Sequence, residues 1–398
     1  MKKLGNNPFV QIAAIAILLV VILFLGSSRL SIQLVDFSVY WSAGALLREG
    51  GNPYDPGQMV IKEQSVGIEG GNAVMMQYWY PPWTFPLAIL IGLFSYSTGQ
   101  LIWLLSSIAV IGFCASSLWK LNQGDQHFRL FPWFIAMMFT PTLFELIFGQ
   151  ISTFILLGIT AFLILIQRKT DKADLLAGFV LSFAAIKPNV LFLVWPALLF
   201  WSIYEHRYGV LIGLFLAIAA GTLIAFIFRP TILLDYLQFI RIANVTNWKV
   251  PTFGYWMRAI LGMQKLFFQF IPIIIGLIWF LYQWFSHQRE WDWQEQIPWL
   301  IFVSLLTSVF VWTHDQVVLM PAIVEAVILV HQRVKAHSTR IIFLSIWLMF
   351  NALIFILHLS HDDSWFVWQA PILLTGYMII KYFYSAHKVQ LIPSTAIH

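Results

Sequence analysis

Residues 208–228 read YGVLIGLFLAIAAGTLIAFIF, an uncharged stretch held between Arg207 and Arg229. Its length decides the fold class. About 20 apolar residues rising 1.5 Å each match the roughly 30 Å hydrocarbon layer of a bilayer, and inside that layer a lone segment satisfies its peptide groups only as a helix. Comparable apolar runs lie on both sides of it, at 8–26, 100–119, 130–148, 151–166, 175–186, 190–203, 266–285, 297–312, 317–330, 341–357 and 365–382. Several are short for a crossing. They make sense if their helices end at a cavity or break near Pro141, Pro188 and Pro196, because irregular backbone at membrane depth is tolerated only under protein or water.

Composition agrees. The 398 residues are 60% hydrophobic, 17% aromatic and only 10% charged, which excludes a water-soluble core. Nineteen Trp and thirty-five Phe suit aromatic belts at two membrane interfaces. The formal charge of +5 sits in short loops, so it reflects topology and not affinity for nucleic acid. The single cysteine, Cys114, falls inside an apolar run and reads as packing. The run 8–26 follows Lys2 and Lys3 but lacks a small-residue cleavage site, and it is too long for a signal-peptide core. It is expected to be a retained first span with a cytoplasmic N-terminus.

Basic residues orient the chain. Loops 167–172, 205–207, 286–296, 331–340 and 381–388 hold most of the Lys and Arg, and the positive-inside rule makes them cytoplasmic. The long loops 29–80 and 229–262, the turn at 313–316 and the loop 358–364 are then extracytoplasmic, and the C-terminus is cytoplasmic. Parity demotes the run 83–96, after Pro81-Pro82, to a re-entrant or interfacial segment. The expected fold is an all-α polytopic bundle forming one membrane domain, with about twelve crossings (eleven to thirteen) and a partly helical first outer loop. Loops beyond about 12–15 residues are uncommon unless functional or disordered, so the two long outer loops point to the face where chemistry occurs.

Asp36 opens the first of those loops, in Val35-Asp36-Phe37-Ser38-Val39-Tyr40, flanked by apolar residues. A carboxyl there should sit at the membrane boundary with a raised or partner-dependent pKa. Residues 36–49 carry Tyr40, Ala43, Leu46 and Leu47 at helical spacing and read as an interfacial helix stopped by Gly50-Gly51, with a turn at 52–56. The plain alternative for Asp36 is N-cap of that helix. Lys187, in Ala185-Ile186-Lys187-Pro188-Asn189, lies midway along a hairpin whose ends are cytoplasmic, so it should reach the outer face; it either meets a phosphate or snorkels. His314 stands beside Asp315 in a tight outer turn, suited to proton donation or phosphate contact, or simply solvated. Glu145 and Gln150 form a polar break between two apolar runs. Arg229, Asp235, Arg241, Asn247 and Arg258 punctuate the second long loop, where Phe253-Gly254-Tyr255-Trp256 serves either as an interfacial anchor or as a stacking surface for sugar rings. Asn244-Val245-Thr246 fits a glycosylation sequon by chance spacing.

Metal-ligand spacings, a Walker A motif and a dinucleotide GxGxxG are absent from the sequence, so no cofactor is expected. A transferase of this kind would draw its sugar from a lipid-linked donor in the membrane. A secondary transporter is the rival from another class, but two related halves with midplane charges are not apparent.

Asp36, Tyr40, Gly50-Gly51, Asn52-Pro53-Tyr54-Asp55 and Tyr80-Pro81-Pro82 resemble the first-loop pattern of glycosyltransferase family 87. Phe148-Gly149-Gln150, the hairpin from Ala177-Gly178 to Lys187-Pro188, and Trp312-Thr313-His314-Asp315 followed by Pro321 come in that family's order. The resemblance implies a GT-C fold in the plasma membrane, a polyprenyl-phosphate sugar donor, typically mannose, and a lipid or glycan acceptor on the extracytoplasmic side. It implies Asp36 as general base of an inverting transfer. Lys187 and His314, with Tyr40, Tyr54, Gln150 and Arg241, are the expected contacts to donor phosphate or acceptor, and a different lipid-linked sugar is the alternative. Asn247-Trp248-Lys249-Val250-Pro251-Thr252 departs from the family's Asn-Gln-Ser stretch, at a point that bears on acceptor choice.

Overall fold

A computed structural model describes residues 34–68, 77–243, 245 and 248–385. The expected first span at 8–26 and most of the sequon lie outside them. Among the described residues the chain is helical throughout, and it begins with α1 (Val35–Arg48) and α2 (Pro56–Gln64). A 3-10 turn at Pro82–Thr84 leads into α3 (Phe85–Ile91), then α4 (Tyr96–Leu121), α5 (Phe131–Met137), α6 (Thr140–Phe148), α7 (Ser152–Ile166), α8 (Asp171–Leu181), α9 (Val194–Tyr204) and α10 (Gly209–Phe228). The remainder is α11 (Ile232–Ile242), α12 (Phe253–Leu261), α13 (Ile271–His287), α14 (Trp293–Thr307), α15 (Met320–Arg333), α16 (His337–His358) and α17 (Gln369–Ser385).

Among the described residues, five helical stretches are long and apolar enough to cross a bilayer: α4, α10, Leu266–Glu290 around α13, His314–Arg333 around α15, and α16. A sixth appears if α5 and α6, bent by 67° at the break before Pro141, count as one span. The chain is thus a polytopic helical membrane protein by length and composition, and helices of spanning length among the described residues, which leave out the expected span 8–26, account for only part of the expected dozen. α7 shows why. Its 15 residues are buried on nearly every side, from Ser152 to Ile166, and a helix apolar all round belongs to the protein core, where bilayer thickness does not set its length. The segment 83–96 is likewise not a full span, since Pro82–Ile91 would reach only about 15 Å along a helix axis.

α1 also departs from expectation. Ten of its 14 residues are buried, including Tyr40, Ala43 and Leu47, so it lies inside the protein and not along a membrane surface. α3 folds over it through glycines: a Cβ on Gly44 would come 1.8 Å from the Ala88 carbonyl oxygen, and one on Gly92 2.7 Å from the Ala45 nitrogen. Arg48 donates to the Gly92 carbonyl (2.7 Å) and Trp41 to the Phe94 carbonyl (3.0 Å), which ties the turn after α3 back to α1.

α8 and α10 approach in the same way, with Gly178 against Val210 and Gly213 against Leu175; small residues let membrane helices meet backbone to backbone. A Cβ on Gly178 would lie 1.8 Å from the Val210 oxygen. Gly178→Ala is therefore expected to cost about 1–3 kcal/mol through forced separation of the two helices, read as a lowered Tm of the purified protein in detergent; an unchanged Tm would show that the helices can part freely. At the base of this pair Arg207 forks onto Asp174, with 2.9 Å from its Nε to Oδ2, and also donates to the Ile166 carbonyl (3.0 Å).

Candidate active site

One backbone feature sets the site. α6 ends at Gly149 with φ +70°, a left-handed conformation that a side chain resists, and a Cβ there would lie 2.8 Å from Leu34 Cβ and 2.9 Å from Phe37 Cβ. Glycine at this position lets the α6 end press against the start of α1. Trp103 of α4 donates to the Gly149 carbonyl (2.9 Å) and holds it there. Gln150 is thereby delivered beside Asp36.

From Gln150 a hydrogen-bonded network spreads across five segments. The Tyr40 hydroxyl donates to Gln150 Oε1 (3.2 Å) and shares a 2.9 Å hydrogen bond with the Tyr80 hydroxyl. Lys187 Nζ donates to Gln150 Oε1 (3.1 Å), to Ser152 Oγ (3.2 Å) and to Asp315 Oδ1 (2.8 Å). Ser152 also donates to Asp315 Oδ1 (2.6 Å), and the Trp312 amide donates to Asp315 Oδ2 (2.9 Å). Lys187 and Asp315 are 128 residues apart in sequence and both are shielded from solvent, so each neutralises a charge that would otherwise be costly to bury. His314 Nε2 lies 3.7 Å from the same Asp315 oxygen and is buried with no hydrogen-bond partner among the described residues. Both carboxyl oxygens of Glu145, one turn before Gly149, are buried and equally unpartnered.

The hairpin that carries Lys187 is pinned on both sides. Trp83 donates to the Ala185 carbonyl (2.9 Å), Ser308 donates to the Asn189 carbonyl (2.8 Å), and the Asn189 amide reaches the Phe310 carbonyl. On the far side the Thr313 amide donates to Asp363 Oδ2 (3.1 Å), whose other oxygen meets His358 Nε2 (3.1 Å). The 312–315 turn is therefore built into the protein and not solvated.

Asp36 is half-buried in the first turn of α1. The N-cap is Leu34 and no side chain caps that end, so the capping alternative for Asp36 does not hold. Burial pushes its pKa up from the usual carboxylate value to about 6, against the opposing pull of the Lys187 ammonium and of Gln150. Burial alone would weaken the Lys187 ammonium, but the neighbouring Asp315 carboxylate outweighs it, and the group stays protonated above the ordinary lysine range.

Asp36, Tyr40, Gln150, Lys187 and His314 thus come together, and Asp315, Ser152, Tyr80 and Asp363 join them. Tyr54 and Arg241 do not. Tyr54 packs among Tyr78, Phe85, Tyr236 and Phe239 with its hydroxyl donating to the Tyr80 carbonyl (2.7 Å), one step removed from the network. Tyr236 and Phe239 turn the apolar face of α11 toward Tyr54; Arg241, two positions past Phe239, falls on another face and is exposed. Arg258 is fully buried but occupied by the Met263 carbonyl (2.7 Å) and Gln269 (3.0 Å), a local brace. Ser152 was missed, although a polar residue two positions past Gln150 extends the same break, whereas no sequence signal linked Asp363 to the 312–315 turn. Among the described residues no trio of His, Cys, Asp or Glu is arranged around a metal position.

A half-buried carboxyl with a raised pKa, set beside an ammonium, hydroxyls and an imidazole, is a group of donors and acceptors suited to moving a proton while negative charge develops nearby. The family model of glycosyltransferase family 87 matches residues 78–355, most of the chain. The chain belongs to glycosyltransferase family 87. The match takes in Tyr80, Gln150, Ser152, Lys187, His314 and Asp315, while Asp36 and Tyr40 precede it. No curated protein and no solved structure matches the chain.

Proposed function

We propose that this glycosyltransferase moves a mannosyl group from polyprenyl-phosphate mannose to a hydroxyl of a lipid or glycan acceptor, with inversion, at the extracytoplasmic face of the plasma membrane. The observation that carries the reading is the meeting of Asp36 with the buried Lys187–Asp315 pair at the ends of three discontinuous segments. In the transfer, an acceptor oxygen forms a bond to the anomeric carbon as Asp36 takes its proton. The bond from that carbon to the phosphate oxygen breaks, and the electron pair leaves with the lipid phosphate. Lys187, Ser152 and the imidazole of His314 are the donors on hand for the phosphate oxygens. Family membership argues against the transporter reading, since a carrier needs no base beside a leaving phosphate.

The test is transfer of radiolabel from polyprenyl-phosphate mannose to endogenous acceptors in membranes carrying the wild-type chain, with the glucose- and arabinose-linked lipids run beside it. Labelled product from the mannose donor supports the proposal; product from another sugar alone would overturn the donor assignment. Asp36 must be ionised to act, so kcat/KM is expected to be level above about pH 6 and to fall about tenfold per unit below it. A profile flat between pH 5 and 7 would remove Asp36 as the base.

A further inference from the structure

We propose a second, separate lipid site: a groove between α5, α15, α16 and α17 that takes an acyl chain of an anionic phospholipid from the leaflet opposite the Asp36–Lys187 network. The groove encloses about 440 Å³ and is walled by Ile135, Phe302, Ala326, Leu344 and Trp347, a volume within the roughly 300–1,000 Å³ of ordinary ligand sites. Ile346 and Ile379 line it while remaining 59% and 50% exposed, so it opens sideways between α16 and α17, where lipid would stand.

One end of the groove is basic, with His331, His337 and Arg340 at its mouth. Arg340 spends its Nε on the Val334 carbonyl (2.6 Å), and its terminal nitrogens make no hydrogen bond among the described residues. Nearby acids are already countered. Asp125 sits by His127 (2.9 Å) and His331 (3.9 Å), and Glu325 is held by Lys381 (3.0 Å) and Tyr377 (2.6 Å). The mouth therefore presents the Arg340 guanidinium, flanked by the imidazoles of His331 and His337, above an apolar slot, which is the complement of a phosphodiester carrying a hydrocarbon chain.

The two sites lie at opposite ends of one helix. His314 and Asp315 stand at the start of the stretch that becomes α15, and His331 stands near its end, about 25–30 Å along the axis and comparable to the hydrocarbon thickness. The phosphate at this mouth is thus not the phosphate of a lipid whose sugar sits beside Asp36.

The experiment places the full chain in phosphatidylcholine nanodiscs containing a trace of phosphatidylglycerol with a diazirine on its acyl chain. Illumination is expected to label peptides covering 322–330 and 343–350. Arg340→Gln is expected to lower that labelling about fivefold, as one basic residue near a membrane phosphate does, and Ala326→Trp to abolish it by filling the slot while labelling of α10 persists. Equal labelling by a diazirine phosphatidylcholine, or labelling unchanged in both variants, would overturn the proposal. So would capture of residues 8–26 by a benzophenone placed at Leu344, which would make the chain's own first span the occupant. Neither variant touches the transfer network, so wild-type transfer by both is the expected control.

Discussion

Asp36→Asn is expected to lower transfer by between about 10² and 10⁴-fold, the contribution of a positioned general base, with little change in KM for the donor. The substitution keeps size and a hydrogen-bonding oxygen for Gln150 and removes only proton affinity. Its effect on stability runs the other way. The carboxyl pKa rises from 3.8 to about 6 on folding, so the ionised group disfavours the fold; the penalty is absent below pH 3.8, grows as pH rises through 6 and is complete above it. Asparagine escapes that penalty, and the Tm at neutral pH should hold or rise. A residue that only capped a helix would give the opposite pair of results, with activity retained and about 1 kcal/mol of stability lost. Measuring initial transfer rate and Tm on the same preparation separates the two, and full retention of transfer would remove Asp36 from the reaction.

Which parts of this arrangement could be read from the sequence follows from how locally each is encoded. Residues 209–228 announce a helix because every position serves the same purpose, and α10 covers that stretch. The break at Phe148-Gly149-Gln150 is local too: a glycine and an amide interrupt an apolar run, and the structure uses the glycine for its positive φ and the amide to reach Asp36. Helix count was not local. α7 is 15 residues long and buried among its neighbours, and a hydropathy run cannot distinguish cover by protein from cover by lipid. Pairing across the chain was still less visible. Asp315 reads as one half of a solvated His-Asp turn until Lys187, 128 residues earlier, is brought to 2.8 Å by a hairpin that Trp83 and Ser308 fix from two sides. Arg241 lies apart from the network for the converse reason: its charge is conspicuous in sequence, but the helix that carries it is docked by Tyr236 and Phe239, and those aromatics decide which face turns inward.

Asp315→Asn is expected to destabilise the protein by about 3–5 kcal/mol, the cost of leaving a buried lysine without its counter-charge. Lys187→Met leaves the Asp315 carboxylate unpaired and should cost a similar amount. The single variants alone would not reveal whether the pair serves the fold or the chemistry, because a chain that unfolds also stops working. The double variant Lys187→Met with Asp315→Leu resolves this. Replacing both members of a buried pair by apolar groups of similar volume is often neutral or better for stability, so the Tm should return most of the way to wild type. The donor phosphate then loses its cation. Transfer is expected to stay depressed at least about a hundredfold, since one preorganised donor facing developing charge is worth about 10²–10³ in rate. Recovery of both Tm and transfer in the double variant would make the pair a structural strut. Recovery of Tm without transfer would place Lys187 on the substrate, with Asp315 serving to hold that ammonium ionised and aimed until a phosphate arrives to share it.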